Sequence, residues 1–190
     1  VDNHHLPVDE NTPLRPANPY GVSKVTQDFL ALQYFLSYSM PIIRVRPFPH
    51  VGPKQSDTFV LSSFAKQIAL IEKGDQEPVL KHGNLEAKRD FTDVRDMVKA
   101  YVLLLAKGEA GEVYNIGSGR SIRIGDALQI LLSMASVSIR DEEEPDRMRP
   151  SDMPNLFSDN TKMMNITGWK PEIPFEHTLK DILDYWRSNV

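Results

Sequence analysis

Three short strand-like runs, the β-branched 42–48 and then 79–82 and 113–116, alternate along the chain with longer segments of helical periodicity. This alternation limits the fold more than any other feature. Strands separated by helices pair in parallel within a layered α/β architecture. The helices carry their own punctuation. Asn18 and Pro19 read as an N-cap and a first-turn proline, opening a helix over 18–39 that stops before Pro41. Gly74 closes a helix over 59–73, and Thr92 or Asp93 opens one that reaches Lys107 before Gly108. Residues 124–135, 158–167 and 174–189 read as further helices, and 141–154 as a charged, proline-broken connection. The first helix has Val22, Val25, Phe29, Leu32 and Leu36 on one face, with Leu30, Tyr34 and Tyr38 widening it. So broad an apolar surface predicts burial on two sides.

Composition narrows the function class. The formal charge of −4 argues against nucleic acid and against an anionic membrane as partners. With no cysteine, disulfides, thiolate nucleophiles and cysteine-ligated zinc are excluded, which suits the cytoplasm. The five histidines lack metal-ligand spacing, so no metal is expected. No apolar run approaches the roughly 20 residues that a bilayer requires. The glycines at 117 and 119 do not complete a dinucleotide-binding glycine loop.

The chemistry-bearing feature is Tyr20 with Lys24, four apart on a helix that starts one residue earlier. Side chains at i and i+4 share a face. A phenol is protonated at neutral pH, with a pKa of about 10, and a nearby cation stabilises its phenolate. A phenol so placed can pass a proton to or from a carbonyl oxygen.

The residues around this pair carry a family likeness. Residues 12–24, TPLRPANPYGVSK, closely resemble the catalytic-helix entry of extended short-chain dehydrogenases/reductases. The likeness continues at 44–53 (RVRPFPHVGP), 83–94 (GNLEAKRDFTDV), 113–119 (VYNIGSG), 149–154 (RPSDMP) and 168–171 (GWKP). GNLEAKRDF and RPSDMP bring it nearest to GDP-4-keto-6-deoxy-mannose reductases and GDP-mannose 4,6-dehydratases, the reductases being favoured.

The resemblance implies the C-terminal part of a doubly wound, Rossmann-like parallel sheet with a small α+β substrate-binding lobe. Residues 1–74 and 90–121 would belong to the dinucleotide-binding fold, and 75–89 and 122–190 to the lobe. It implies NADP(H), or alternatively NAD(H), and a GDP-sugar substrate. Tyr20 would be the general acid/base and Lys24 its partner, both touching the cofactor together with Pro47 and His50. Val60, Arg89, Arg149 and Asp152 would hold the substrate. A homodimer through the 18–39 helix is expected, in the cytoplasm. The alternatives on this scaffold are a 4,6-dehydratase, a nucleotide-sugar 4-epimerase, or a non-catalytic nucleotide-sugar-binding fragment. The glycine loop and the family's catalytic Ser or Thr would precede Val1. One departure stands out: the family's Asn after Phe48 is Pro49 here, which implies a differently held substrate or reduced activity.

Overall fold

A computed structural model describes residues 6–148 and 153–190 of the chain. The order is α1 (Pro19–Tyr38), β1 (Arg44–Pro47), β2 (His50–Val51), α2 (Val60–Lys73), β3 (Val79–His82), β4 (Lys88–Arg89), β5 (Thr92–Asp93), α3 (Val94–Lys107) and β6 (Val113–Ile116). There follow β7 (Ile122–Arg123), α4 (Ile124–Ser133), β8 (Arg140–Glu143), a 3-10 turn at Pro145–Arg147, β9 (Asn155–Leu156), α5 (Thr161–Thr167) and α6 (Phe175–Arg187). The mixed α/β order with parallel pairings agrees with the fold class expected. β1 pairs in parallel with β6, β2 with β5 and β3 with β8. β4 lies between antiparallel β7 and parallel β9. Among the described residues, no helix is long and apolar enough to cross a membrane.

The helix boundaries follow local chemistry. Asn18 Oδ1 accepts the Gly21 N–H at 2.8 Å, and the far end of α1 closes on Ser39 in the left-handed region at φ 54°. Gly74, at φ 86°, ends α2 with its N–H on the carbonyls of Ile71 and Leu70. Asp93 caps α3 by accepting the Arg95 N–H at 2.8 Å.

Two apolar clusters form the core. In the first, Leu61, Phe64, Ala65 and Ile68 of α2 meet Ala127, Leu128 and Leu131 of α4 and Leu179, Ile182 and Leu183 of α6. In the second, Met97, Ala100 and Leu104 of α3 cover Tyr114 and Ile116 of β6, with Met163 and Trp169. The two tryptophans serve this framework. Trp169 is buried and donates its indole N–H to the Asp96 carbonyl at 3.0 Å. Trp186 is partly buried against the first cluster and donates to Ser62 Oγ at 2.9 Å.

α1 departs from its expectation. No residue of it is buried. A stripe of Val25, Asp28, Leu32 and Phe35 is half covered by the body of the chain, while Val22, Phe29, Leu30, Tyr34, Leu36 and Tyr38 are exposed. The helix meets the described residues along one narrow face, which is why its wide apolar surface stays uncovered. Polar contacts fix the middle of that face. Asp28 receives Arg44 Nη1 at 3.2 Å, and Arg46 through Nε at 3.2 Å and Nη2 at 2.5 Å. Arg46 Nη1 also donates to the Glu10 carbonyl at 2.9 Å.

β8 has no apolar signature at all. Its residues, Arg-Asp-Glu-Glu, are all exposed, yet they run in register from Val79↔Arg140 to His82↔Glu143. Backbone pairing is joined by Lys81 Nζ on Glu144 at 2.8 Å and His82 Nε2 near Asp141 at 3.3 Å.

α2 and α6 are also joined at their ends. Arg187 grips Glu72 through Nε and Nη2, both at 2.7 Å. This fork holds the Glu72 carboxyl below its ordinary range, more than offsetting burial. A carboxyl with a lowered native pKa contributes stability that is present above its unfolded pKa and lost as pH falls through the native one. Between about pH 5 and about pH 3, the urea midpoint of the parent should therefore fall more steeply than that of Glu72→Gln. Parallel slopes would remove this pair from the acid limb.

Candidate active site

The segment before α1 presses onto its first turn. A Cβ at Gly21 would stand 3.2 Å from the Pro16 Cβ, so the small residue after Tyr20 lets the two approach. Tyr20 projects from the first turn, 71% exposed. Lys24 Nζ lies 5.6 Å from the Tyr20 ring centroid and donates to Gln27 Oε1 at 3.3 Å. The phenol and ammonium are therefore neighbours on an accessible surface, as their spacing predicts. Pro47 closes β1 and is exposed; His50, also exposed, opens β2 with Nδ1 3.2 Å from the Phe48 carbonyl. Both stand at the carboxyl end of β1, the end of parallel strands where α/β sheets bind ligands.

A second feature is an open cavity of about 530 Å³. Its lining comes from the Pro49 turn, the start of α2, the end of β3, β4 and the 3-10 turn. Val60 and Arg89, both expected to hold substrate, are brought together here, and Pro49 joins them. Arg149 and Asp152 lie outside the described residues. Tyr20, Lys24, Pro47 and His50 do not line this cavity. Lys81, Asn84 and Arg147 do, and no sequence motif marks Lys81 or Asn84. The available signal was the inside–outside alternation of β3, which turns Lys81 outward between buried Leu80 and His82. Arg147 pairs with Glu144, as a balanced acidic connection would, yet also lines the cavity.

The triplet Arg89-Asp90-Phe91 distributes three tasks. Arg89 is half-buried, its Nη1 donating to the carbonyls of Lys88 at 2.7 Å and Met153 at 2.8 Å. Desolvation lowers its pKa, an effect too small in consequence to discharge a guanidinium at neutral pH. Phe91 is buried and stacks on Phe175 with centroids 5.7 Å apart. Asp90 is fully buried and accepts five hydrogen bonds: from the Ser118 N–H at 2.7 Å and Oγ at 2.5 Å, the Gly119 N–H at 3.1 Å, and the Ser158 N–H at 3.0 Å and Oγ at 2.6 Å.

Arg89 and Asp90 are therefore not a surface ion pair: Asp90 is the centre of a buried hub. The hub also explains the turn after β6. The amides of Ser118 and Gly119 serve Asp90 rather than a phosphate. A Cβ at Gly117 would fall 2.3 Å from Ser158 Oγ and 2.6 Å from Asp90 Oδ2. Among the described residues, no group of three or more His, Cys, Asp or Glu could hold a metal ion.

The site can supply a proton at Tyr20 and cationic, hydrogen-bonding walls at the cavity. The family described as GDP-mannose 4,6 dehydratase matches residues 2–182. The chain is 39% identical over 185 residues to a GDP-6-deoxy-D-mannose reductase from Pseudomonas aeruginosa, covering 97% of this chain and 61% of that protein. It superposes on the structure of RMD from Pseudomonas aeruginosa complexed with NADPH with a TM-score of 0.95 at 37% identity, covering 100% of this chain and 63% of that one. A dTDP-glucose 4,6-dehydratase from Bacillus anthracis in complex with NAD matches with a TM-score of 0.75 at 28% identity, over 95% of this chain and 55% of that one. The chain thus spans less than two thirds of the length of these relatives.

Replacing Asp90 with Asn should turn an amide N–H₂ toward donors already in place. A loss of about 2–3 kcal/mol in unfolding free energy is expected. Chemical denaturation reads this directly, and an unchanged midpoint would deny the hub its structural role.

Proposed function

The chain belongs to the GDP-mannose 4,6-dehydratase family, and from that premise we propose that it serves the NADPH-dependent reduction of a GDP-4-keto-6-deoxy sugar at C4. The observation that carries this reading is Tyr20 with Lys24 alongside on the first turn of α1. The reductase and the NADPH-bound relative support the choice of reaction and cofactor.

The residues present fit a nicotinamide dinucleotide at its reacting end. Tyr20 and Lys24 are accessible on one helix turn, and Pro47 and His50 stand at the carboxyl end of β1. A reduced nicotinamide supplies the hydride. Tyr20 Oη gives its proton to the oxygen developing negative charge at C4, and the Lys24 ammonium stabilises the phenolate left behind. Arg89, joined by Arg149, supplies forked donors to the diphosphate. Val60 sits on the wall that takes the base, and Asp152 accepts from the nucleoside.

The lobe that binds the sugar nucleotide comprises 75–89 and 122–190, with 1–74 and 90–121 continuing the dinucleotide fold. α2 bridges the two, since it shares its core with α4 and α6. The cysteine-free composition suits work in the reducing cytoplasm.

A 4,6-dehydratase is the second reading, favoured by the family's description and by the NAD-bound dehydratase relative. Supplying GDP-mannose and, separately, its 4-keto-6-deoxy derivative separates the two; water loss from GDP-mannose would reject the reductase.

Tyr20→Phe should reduce turnover by roughly 10²–10⁴-fold, while the Kd for GDP-sugar stays within about twofold, because Tyr20 lies outside the cavity. Undiminished turnover would sink the acid/base role. The exposed face of α1 is read as the homodimer surface. Leu30, 53% exposed, and Tyr34 form part of it. Leu30→Glu should convert a dimer to a monomer in light scattering without changing the circular dichroism; a persisting dimer would place the interface elsewhere.

A further inference from the structure

Among the described residues the cavity wall holds two carboxylates, Asp57 and Asp146. They stand in different company. Asp146 adjoins Arg147 in the 3-10 turn, and Arg147 lines the wall with Lys81 and Arg89, a cationic set that suits a diphosphate. Asp57 belongs to the segment leading into α2, which contributes Thr58, Val60 and Ser63 to the same cavity.

Asp57 is anchored. Its Oδ2 accepts Lys66 Nζ at 2.6 Å. Lys66 in turn lies 5.1 Å from the ring centroid of Trp186. Trp186 donates to Ser62 Oγ at 2.9 Å, and Ser62 Oγ donates to the Gln55 carbonyl at 2.7 Å. This relay ties the loop carboxylate to α2 and α6. The Lys66 bond keeps the Asp57 carboxyl below its ordinary range, so it is an acceptor at neutral pH. A carboxylate offers about four acceptor sites, and Lys66 occupies one.

We propose that Asp57 reads the base of the bound nucleotide and selects guanine. This rests on the reading of the substrate as a GDP-sugar. Guanine presents its N1–H and exocyclic N2–H₂ side by side, two donors that match the two oxygens of one carboxylate. Uracil and thymine set a single N–H between two carbonyls, which a carboxylate repels. Adenine sets an acceptor nitrogen beside its amine. Specificity here therefore comes from attraction to one base and repulsion of the others. A charged acceptor that loses one of its two donors should bind the altered ligand about tenfold more weakly or worse.

Calorimetric titration of the protein with GDP, IDP and UDP tests this. IDP differs from GDP by lacking the N2 amine. The parent should bind GDP about tenfold or more tighter than IDP, and UDP more weakly still. Asp57→Asn should weaken GDP by about tenfold to a hundredfold, bring the GDP-to-IDP ratio toward one, and leave UDP within about twofold. Unchanged circular dichroism will show that the variant is folded. If the parent prefers GDP and Asp57→Asn keeps both its GDP affinity and its GDP-to-IDP ratio, the role of Asp57 is overturned and the GDP-sugar reading stands. If the parent binds UDP more tightly than GDP, that reading falls and this inference with it.

Discussion

The buried carboxylate of Asp90 is the constraint on which the site depends. Among the described residues its five donors are N–H and O–H groups of Ser118, Gly119 and Ser158, none of them a cation. Those donors come from the turn after β6 and from Ser158 ahead of α5. One side chain therefore fastens two separate stretches of chain to the β4–β5 segment. Because Arg89 and Phe91 flank it, the hub also sets where the guanidinium meets the cavity and where the aromatic ring enters the first core cluster. The spacing of Arg, Asp and Phe in this triplet is thus a geometric requirement. Shifting it by one residue would send a cation into a site built from donors.

α1 is governed by a different balance. Its connection to the sheet includes a forked ion pair of Asp28 with two arginines. Phe35 adds close packing at the far end, where the ring lies so near Gly111, at φ 86°, that a Cβ there would come within 2.2 Å. A partly buried, forked ion pair gives orientation that a smooth apolar surface would not. This fixes the rotation of the helix about its axis, and with it the direction in which Tyr20 and Lys24 face.

Much of this was legible in the residues. Asn18–Pro19, Gly74 and Asp93 punctuate helices by backbone rules that act locally, and the boundaries agree within a residue or two. The strand of 113–116 is largely enclosed, and that of 79–82 buries Leu80 and His82 while turning Lys81 outward, so both leave a short-strand signal. β8 was hidden because exposed charged residues leave no inside–outside alternation, and its partner lies some sixty residues earlier. The two-residue strands are set by tertiary pairing and have no period to detect. The cavity was half visible: Val60 and Arg89 follow from likeness to a family, whereas Lys81, Asn84 and Asp57 gather from separate segments only once the chain is folded. The breadth of the apolar surface on α1 was evident, but not that the described residues would leave it open.

The charged strand β8 has a consequence for the colloidal behaviour of the molecule. Among the described residues it pairs with β3 alone in a two-stranded parallel ladder, so one row of its backbone groups is turned away from that partner. Such a rim is a template for recruiting stray chains into intermolecular sheets. Asp141, Glu142 and Glu143 place a dense negative fringe along it. A second copy approaching this rim meets repulsion before any amide can find a carbonyl. The stretch that looks least like a strand therefore has the character of a gatekeeper against β-aggregation.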